Sequence, residues 1–220
     1  MGLMPRWRHS WEMSMKIFNR YKRYAKYMFQ WIFVEKIRGL DFSMRDLSLI
    51  NASGGELHGY SKTDESHAKM IFESLSKLEN IESLSLLDVG CGKGAFLREA
   101  SRYPFEKIAG IEYLENLAEI ARKNFRILKL KNRIHVECAD AAKYDRYGEY
   151  NVFYFFNPFE PDLMETTIKS IREQCRGKNI WVILHNPVSS DVIFNNGGVE
   201  KLRLYDKVKS YETIIYQLNC

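Results

Sequence analysis

Leu84-Ser-Leu-Leu-Asp-Val-Gly-Cys-Gly-Lys-Gly-Ala-Phe-Leu97 decides the fold. An apolar run of strand length enters a turn with glycines at 90, 92 and 94, and the residues from Lys93 through Arg102 read as a helix. Glycine at this spacing lets the backbone turn tightly and lets a ligand approach main-chain atoms with no Cβ in between. Working outward, Lys107-Ile-Ala-Gly-Ile-Glu112 reads as a second strand ending in an acid, and a helix follows across Leu114–Leu128. The unit is strand, helix, strand, with a carboxylate at the tip of the second strand.

Two nucleoside cofactors are compatible with such a unit. Gly90-x-Gly92-x-x-Ala95 satisfies the loose dinucleotide fingerprint, and Glu112 stands where a ribose-binding acid is expected, so an NAD(P)-dependent oxidoreductase is one reading. Asp88 favours the other. A carboxylate two residues before the first glycine repels a pyrophosphate but suits the cationic ammonium and sulfonium of S-adenosylmethionine.

Here the chain resembles the class I S-adenosylmethionine-dependent methyltransferases, in the family's order, across about residues 60–218. The resemblance implies an α/β fold: a three-layer sandwich around a seven-stranded, mostly parallel sheet, here with an N-terminal helical extension. It also implies S-adenosyl-L-methionine as cofactor, with Asp88, Gly90, Cys91 and Gly92 lining its methionine and ribose part and Glu112 holding the ribose hydroxyls. His135-Val-Glu-Cys-Ala-Asp140-Ala-Ala reads as a third strand ending in Asp140, which the resemblance sets facing the adenine amino group, with Ala141 also cofactor-binding. Each of these acids has a plainer reading as a turn residue or helix cap. A non-catalytic module that binds the same cofactor is a further alternative, and no metal site is written in the chain.

Tyr150-Asn-Val-Phe-Tyr-Phe-Phe156 is a continuous aromatic and β-branched run, as expected of a central strand buried on both faces. It ends in Asn157-Pro158-Phe159. In the resembling family this strand end faces the transferable methyl, and amino-group methyltransferases often carry Asn-Pro-Pro-aromatic there. This chain has one proline fewer, which weakens the case for an amide or nucleobase nitrogen as acceptor. Asn157 is read both as cofactor-binding and as catalytic, with a strand stop as the plainer alternative. Met164–Cys175 has helical spacing, and Lys178–Leu184 is another apolar strand with His185-Asn186-Pro187 at its end. His185 is the candidate base. Lys201–Val208 and Tyr211–Leu218 read as a closing strand pair after an Asn195-Asn-Gly-Gly198 turn.

Upstream of the motif, Ile71, Phe72, Leu75 and Leu78 recur at helical spacing, with Thr63 or Asp64 as N-cap of a helix over about residues 65–80. The polar turn Tyr60–His67 is also a candidate cover for the cofactor, through Tyr60 and Thr63. Asn51–Gly59 is a cluster of turn formers. The expected division is therefore an extension over residues 1–50 and a methyltransferase domain over 51–220.

Charge separates the same two parts. Residues 1–45 carry ten of the 33 Lys and Arg and three of the 28 Asp and Glu, a net +7 that leaves −2 for the remainder. A near-neutral main domain argues against nucleic acid as partner. From Trp11 to Arg38 there is neither proline nor glycine, and Trp11, Met15, Phe18, Tyr21, Ala25, Met28 and Ile32 recur at spacings of three and four. That pattern is an amphipathic helix whose basic, aromatic faces suit the surface of an anionic membrane or, equally, packing on protein or a second subunit. Its apolar stretch, Tyr27–Val34, is far shorter than the roughly 20 residues a spanning helix needs. The composition, 45% hydrophobic and 28% charged with 220 residues, excludes a disordered chain and a polytopic membrane protein. Four cysteines without a C-x-x-C pair point to free thiols and a cytoplasmic location, peripheral to the inner face of the membrane if the helix binds there. A small bacterial methyltransferase acting on a small molecule, a glycan or a lipid-linked precursor is the expectation.

Overall fold

The computed structural model describes residues 22, 29, 33, 35–42, 62–156, 160–187, 190–205 and 211–220. The chain divides into two compact units, Met1–Met44 and Arg45–Cys220. In the first, Lys36–Arg38 forms a 3-10 turn closed by Gly39 in the left-handed region (φ 74°), and Phe42 N–H donates to Glu35 Oε2 at 2.9 Å. The rest of the amphipathic helix read across Trp11–Arg38 lies largely outside the described residues, as do Tyr60 and Asn157.

The second unit is built on a seven-stranded sheet: β1 (Ser85–Val89), β2 (Lys107–Glu112), β3 (Ile134–Cys138), β4 (Val152–Phe156), β5 (Asn179–His185), β6 (Val199–Tyr205) and β7 (Glu212–Asn219). Their spatial order is β3-β2-β1-β4-β5-β7-β6, parallel except for β7, which runs antiparallel to both neighbours. From β1 the chain winds outward through β2 and β3, then returns to place β4 on the other side of β1. The ends of β1 and β4 are therefore the topological switch point, where open α/β sheets leave a crevice for ligands.

Alternation along the strands sorts the two faces. Leu87, Val89, Phe153, Phe155, Val182 and Leu184 point into one core layer with Met164 and Ile168 of α4 (Pro161–Gln174) and with Val192 and Ile193 of α5 (Ser190–Asn195). Between β3 and β4 that layer has no full helix. Two 3-10 turns, Ala141–Lys143 and Tyr147–Glu149, fill it with buried Tyr144, Tyr147 and Tyr150, and Gln174 fastens them to α4 by accepting from Tyr147 N–H and donating to Tyr144 O, both at 2.8 Å.

The opposite face carries Asp88, Gly110 and Tyr154 in one register row and Phe156, His185 and Thr213 in the next. Helices α1 (Glu65–Leu78), α2 (Ala95–Ala100) and α3 (Glu115–Ile127) lie on it. Phe72 of α1 packs on Phe96, Tyr103 and Phe105 with ring centroids 4.8, 4.9 and 5.6 Å away, and Phe96 stacks on Tyr154 at 3.6 Å. These contacts fix α1 against the sheet close to the switch point.

Three expectations need correction. The glycine turn runs longer than expected, so the helix after it spans Ala95–Ala100, shorter than Lys93–Arg102. Residues 190–195 form α5, and Asn195–Gly198 ends that helix instead of turning a strand pair. Gly198 N–H donates to Ile193 O at 2.9 Å and Gly197 N–H to Phe194 O at 3.0 Å, with Gly197 at φ 83°, the paired bonds of a glycine helix stop. β6 consequently begins at Val199, two residues earlier than expected, and the expected end of that strand, residues 206–208, lies outside the described residues.

Candidate active site at the ends of β1, β2, β4 and β5

The turn after β1 is held to β2 by its main chain. The N–H groups of Gly90 and Cys91 both donate to Ile111 O at 2.9 Å, while Gly90, Gly92 and Gly94 take φ of 84°, 53° and 82°, a region that suits glycine. Close approach adds a second reason at Gly94, where a Cβ would stand 2.5 Å from Phe125 Cζ. Gly110 is needed by its surroundings: a Cβ there would lie 2.7 Å from both Cβ and Sγ of Cys91 and from Leu97 Cδ1. The glycine of the second strand thus makes room for the loop of the first.

Glu112, the last residue of β2, folds its carboxylate back onto this loop. Its Oε2 accepts Gly92 N–H at 2.8 Å and its Oε1 accepts Leu114 N–H at 3.0 Å. Burial raises the pKa of the group, and the N–H groups of Leu114, Gly92 and Tyr113 oppose that rise. An ionised carboxylate has about four acceptor positions, so capacity for ribose hydroxyls remains. Asp88 is 3% exposed, and its pKa is raised well above the ordinary carboxyl range, first by burial and then by the charge of Glu112. Two acids crowded into one buried spot form a place a cation would relieve, which fits an ammonium or sulfonium and disfavours a pyrophosphate. Cys91 is also buried, and burial, Asp88 and Glu112 all push its thiol up, so it lines the loop as a neutral group.

Asp140 lies two residues past β3. Its Oδ1 accepts Ala142 N–H at 3.0 Å, capping the turn that begins with Ala141, and its Oδ2 lies 3.4 Å from Lys143 Nζ. The cap was one of the two readings of this acid, and it leaves a third of the side chain exposed. Ahead of α1, the two cap candidates divide their work. Asp64 caps the helix by accepting Ser66 N–H at 2.9 Å, whereas Thr63 is buried with its Oγ1 2.6 Å from Tyr154 Oη. Thr63 therefore ties the entry of α1 to the middle of β4.

His185 is the final residue of β5, paired in register with Phe156 on one side and Thr213 on the other, and is fully buried. The rings of Phe156, His67 and Tyr211 stand 4.4, 4.8 and 5.6 Å from it, centroid to centroid. It shares the face of Asp88, two strands across and one register row on, a Cα separation of roughly 12 Å from strand and residue spacings. His67, Thr213, Tyr154 and Tyr211 were not singled out as site residues in the sequence. Only the apolar period of α1 gave any sign that His67 turns inward.

Residues 86–178 match the family model described as a methyltransferase domain. Among solved structures, the fold is similar to an RNA methyltransferase from Salinibacter ruber in complex with S-adenosyl-L-homocysteine. There the TM-score is 0.56 at 18% identity, covering 72% of this chain and 94% of that one. It is also similar to the magnesium protoporphyrin IX methyltransferase of Synechocystis PCC 6803 with bound S-adenosylmethionine (TM-score 0.54, 15% identity, 70% and 77% covered). No curated protein matches. Sheet order and glycine turn are those of the class I S-adenosylmethionine-dependent methyltransferase fold, and residues 86–178 carry the methyltransferase-domain match. The protein is an enzyme of that class, with S-adenosylmethionine as its cofactor, and the oxidoreductase reading falls away.

Proposed function

We propose that the protein methylates a hydroxyl-bearing small molecule or glycan, which includes lipid-linked precursors, with His185 as the base. The observation that carries this reading is the place of His185: buried at the end of β5, on the face of Asp88, and ringed by Phe156, Tyr211 and His67. A hydroxyl must lose its proton as it attacks, and a neutral imidazole is suited to take it.

When bound, S-adenosylmethionine supplies an electrophilic methyl on a sulfonium. Asp88, Gly90, Cys91 and Gly92 would hold its methionine and ribose part, Glu112 the ribose hydroxyls, and Asp140 and Ala141 the adenine, with Tyr60 and Thr63 covering the site. Ionised Asp88 offsets positive charge there. Asn157 follows the end of β4 and would orient the acceptor. The aromatic ring around His185 keeps water from the proton-accepting nitrogen, so orientation and exclusion of water supply the catalysis.

The test is transfer of a labelled methyl group from S-adenosylmethionine to separated glycan, lipid, small-molecule and nucleic-acid fractions. Label in a base-stable ether of the first three supports the reading. Label confined to nucleic acid or to amine products contradicts it. Full transfer by His185→Ala would remove that residue from the reaction.

A further inference from the structure

Beside the site runs a chain of three buried side chains from three elements. His67 Nε2 of α1 lies 2.6 Å from Thr213 Oγ1 of β7, and the same oxygen lies 2.7 Å from His185 Nδ1 of β5. All three residues are 0–1% exposed. One hydroxyl therefore stands between two imidazoles.

We propose that His67 and Thr213 are positioning residues for His185, the three forming a proton relay that locks both rings in one tautomer and draws the acceptor's proton away from the reacting centre. The relay rests on the reading of His185 as base, while the lock follows from the three side chains alone.

A hydroxyl has one hydrogen to donate, and a buried hydroxyl hydrogen with no acceptor loses the hydrogen bond it made to water. The ring nitrogens are the two partners found for the Thr213 hydroxyl among the described residues. The oxygen must then accept from one ring and donate to the other. Because it faces Nε2 of His67 but Nδ1 of His185, the two neutral rings are forced into the same tautomer: both carry hydrogen on Nε2, or both on Nδ1. A base that accepts at Nε2 of His185 needs the second state. There His185 Nδ1–H donates to Thr213, and the Thr213 hydroxyl donates to His67 Nε2.

Proton transfer balances along this chain. As the acceptor oxygen forms its bond to the methyl carbon, the electrons of the carbon–sulfur bond stay on sulfur and the acceptor's proton passes to His185 Nε2. The Nδ1 proton of His185 moves to Thr213 Oγ1, and the hydroxyl's own proton moves to His67 Nε2. His185 ends neutral, Thr213 is unchanged, and the positive charge rests on His67.

The experiment is ¹⁵N NMR of the histidine rings in the full chain at about pH 9, where an ordinary imidazole is neutral. Bare and protonated ring nitrogens are then distinguished directly. The relay predicts hydrogen on Nδ1 of both His67 and His185. Thr213→Ser should keep that pattern and Thr213→Val should abolish it, with at least one ring passing to the other tautomer or to a mixture. Hydrogen on Nε2 of His185, different tautomers in the two rings, or a Thr213→Val spectrum identical to wild type would overturn the proposal. Loss of the base assignment through a fully active His185→Ala leaves these spectra as they are, so the two failures are told apart.

Discussion

The Glu112 carboxylate and the Gly92 amide, twenty residues apart, meet at 2.8 Å, so the acid at the tip of β2 holds the glycine turn of β1 before any ligand arrives. Its other oxygen accepts Leu114 N–H, which starts the chain toward α3. One side chain thereby sets both the shape of the loop and the position of a free acceptor. Glu112→Ala should weaken S-adenosylmethionine binding by about 1.5–3 kcal/mol, the scale of a hydrogen bond to a charged group. Hydrogen exchange at the Gly92 amide should rise in the same variant. An unchanged dissociation constant would remove Glu112 from the cofactor site.

Asp88 makes cofactor binding depend on pH. Its folded-state pKa is raised, by burial and then by Glu112, so the stability it contributes to the free protein is complete below the ordinary value of 3.8 and is lost as pH rises through the raised value. A bound cation favours the ionised form. Binding should therefore release a proton, and affinity for S-adenosylmethionine should increase with pH across that window. Calorimetry in two buffers of different ionisation enthalpy reads the proton directly. Asp88→Asn should flatten both dependences, raise the melting temperature of the free protein at alkaline pH and weaken binding. Equal heats in the two buffers would show that Asp88 does not face the cation.

The packing of the glycine turn predicts the cost of filling it. Gly94→Ala combines a left-handed φ of 82° with a Cβ 2.5 Å from Phe125 Cζ, and Gly110→Ala places a Cβ 2.7 Å from Cys91 and Leu97. Each should destabilise the fold by about 1–3 kcal/mol, measurable by urea unfolding. At Gly110, Cys91→Ala should recover part of the loss by removing the sulfur. Stability unaltered in both single variants would contradict the close approach of the loop to α3 at Gly94 and to β2 at Gly110.

Much of this architecture was legible because parallel strands announce themselves. Leu84–Val89 and Tyr150–Phe156 are apolar runs bounded by turn residues, and their glycine and acid punctuation fixed β1, β2 and the loop between them. α5 was not legible. Its six residues hold too little period to separate from loop, and Asn195-Asn-Gly-Gly198 serves a helix stop as well as a strand turn. Thr63 could be read as a cap because any threonine before a helix can be one, and its bond to Tyr154 depends on tertiary packing across 91 residues. The same holds for Thr213, whose partners come from α1 and β5 and lie 146 and 28 residues away. Local pattern carries no record of such meetings.

Residues 11–38 suit an anionic membrane and protein contacts equally, and salt separates the two. Membrane contact predicts that the chain sediments with anionic vesicles, less so as salt shortens the range of charge attraction, and that Lys16, Arg20 and Arg23 changed together to Glu abolish sedimentation. Among the described residues no helix is long and apolar enough to cross a membrane. Sedimentation that is indifferent to salt and to the triple change would leave residues 11–38 to protein contacts instead.

Calorimetric titration of the full chain with S-adenosylmethionine, S-adenosylhomocysteine and NAD decides which cofactor the turn after β1 holds. One equivalent of either sulfur compound should bind there, with no heat from NAD, and binding should be lost in Gly92→Val, where a branched side chain would sit in a left-handed position against the ligand. Binding of NAD in place of S-adenosylmethionine, or undiminished cofactor affinity in Gly92→Val, would contradict that expectation.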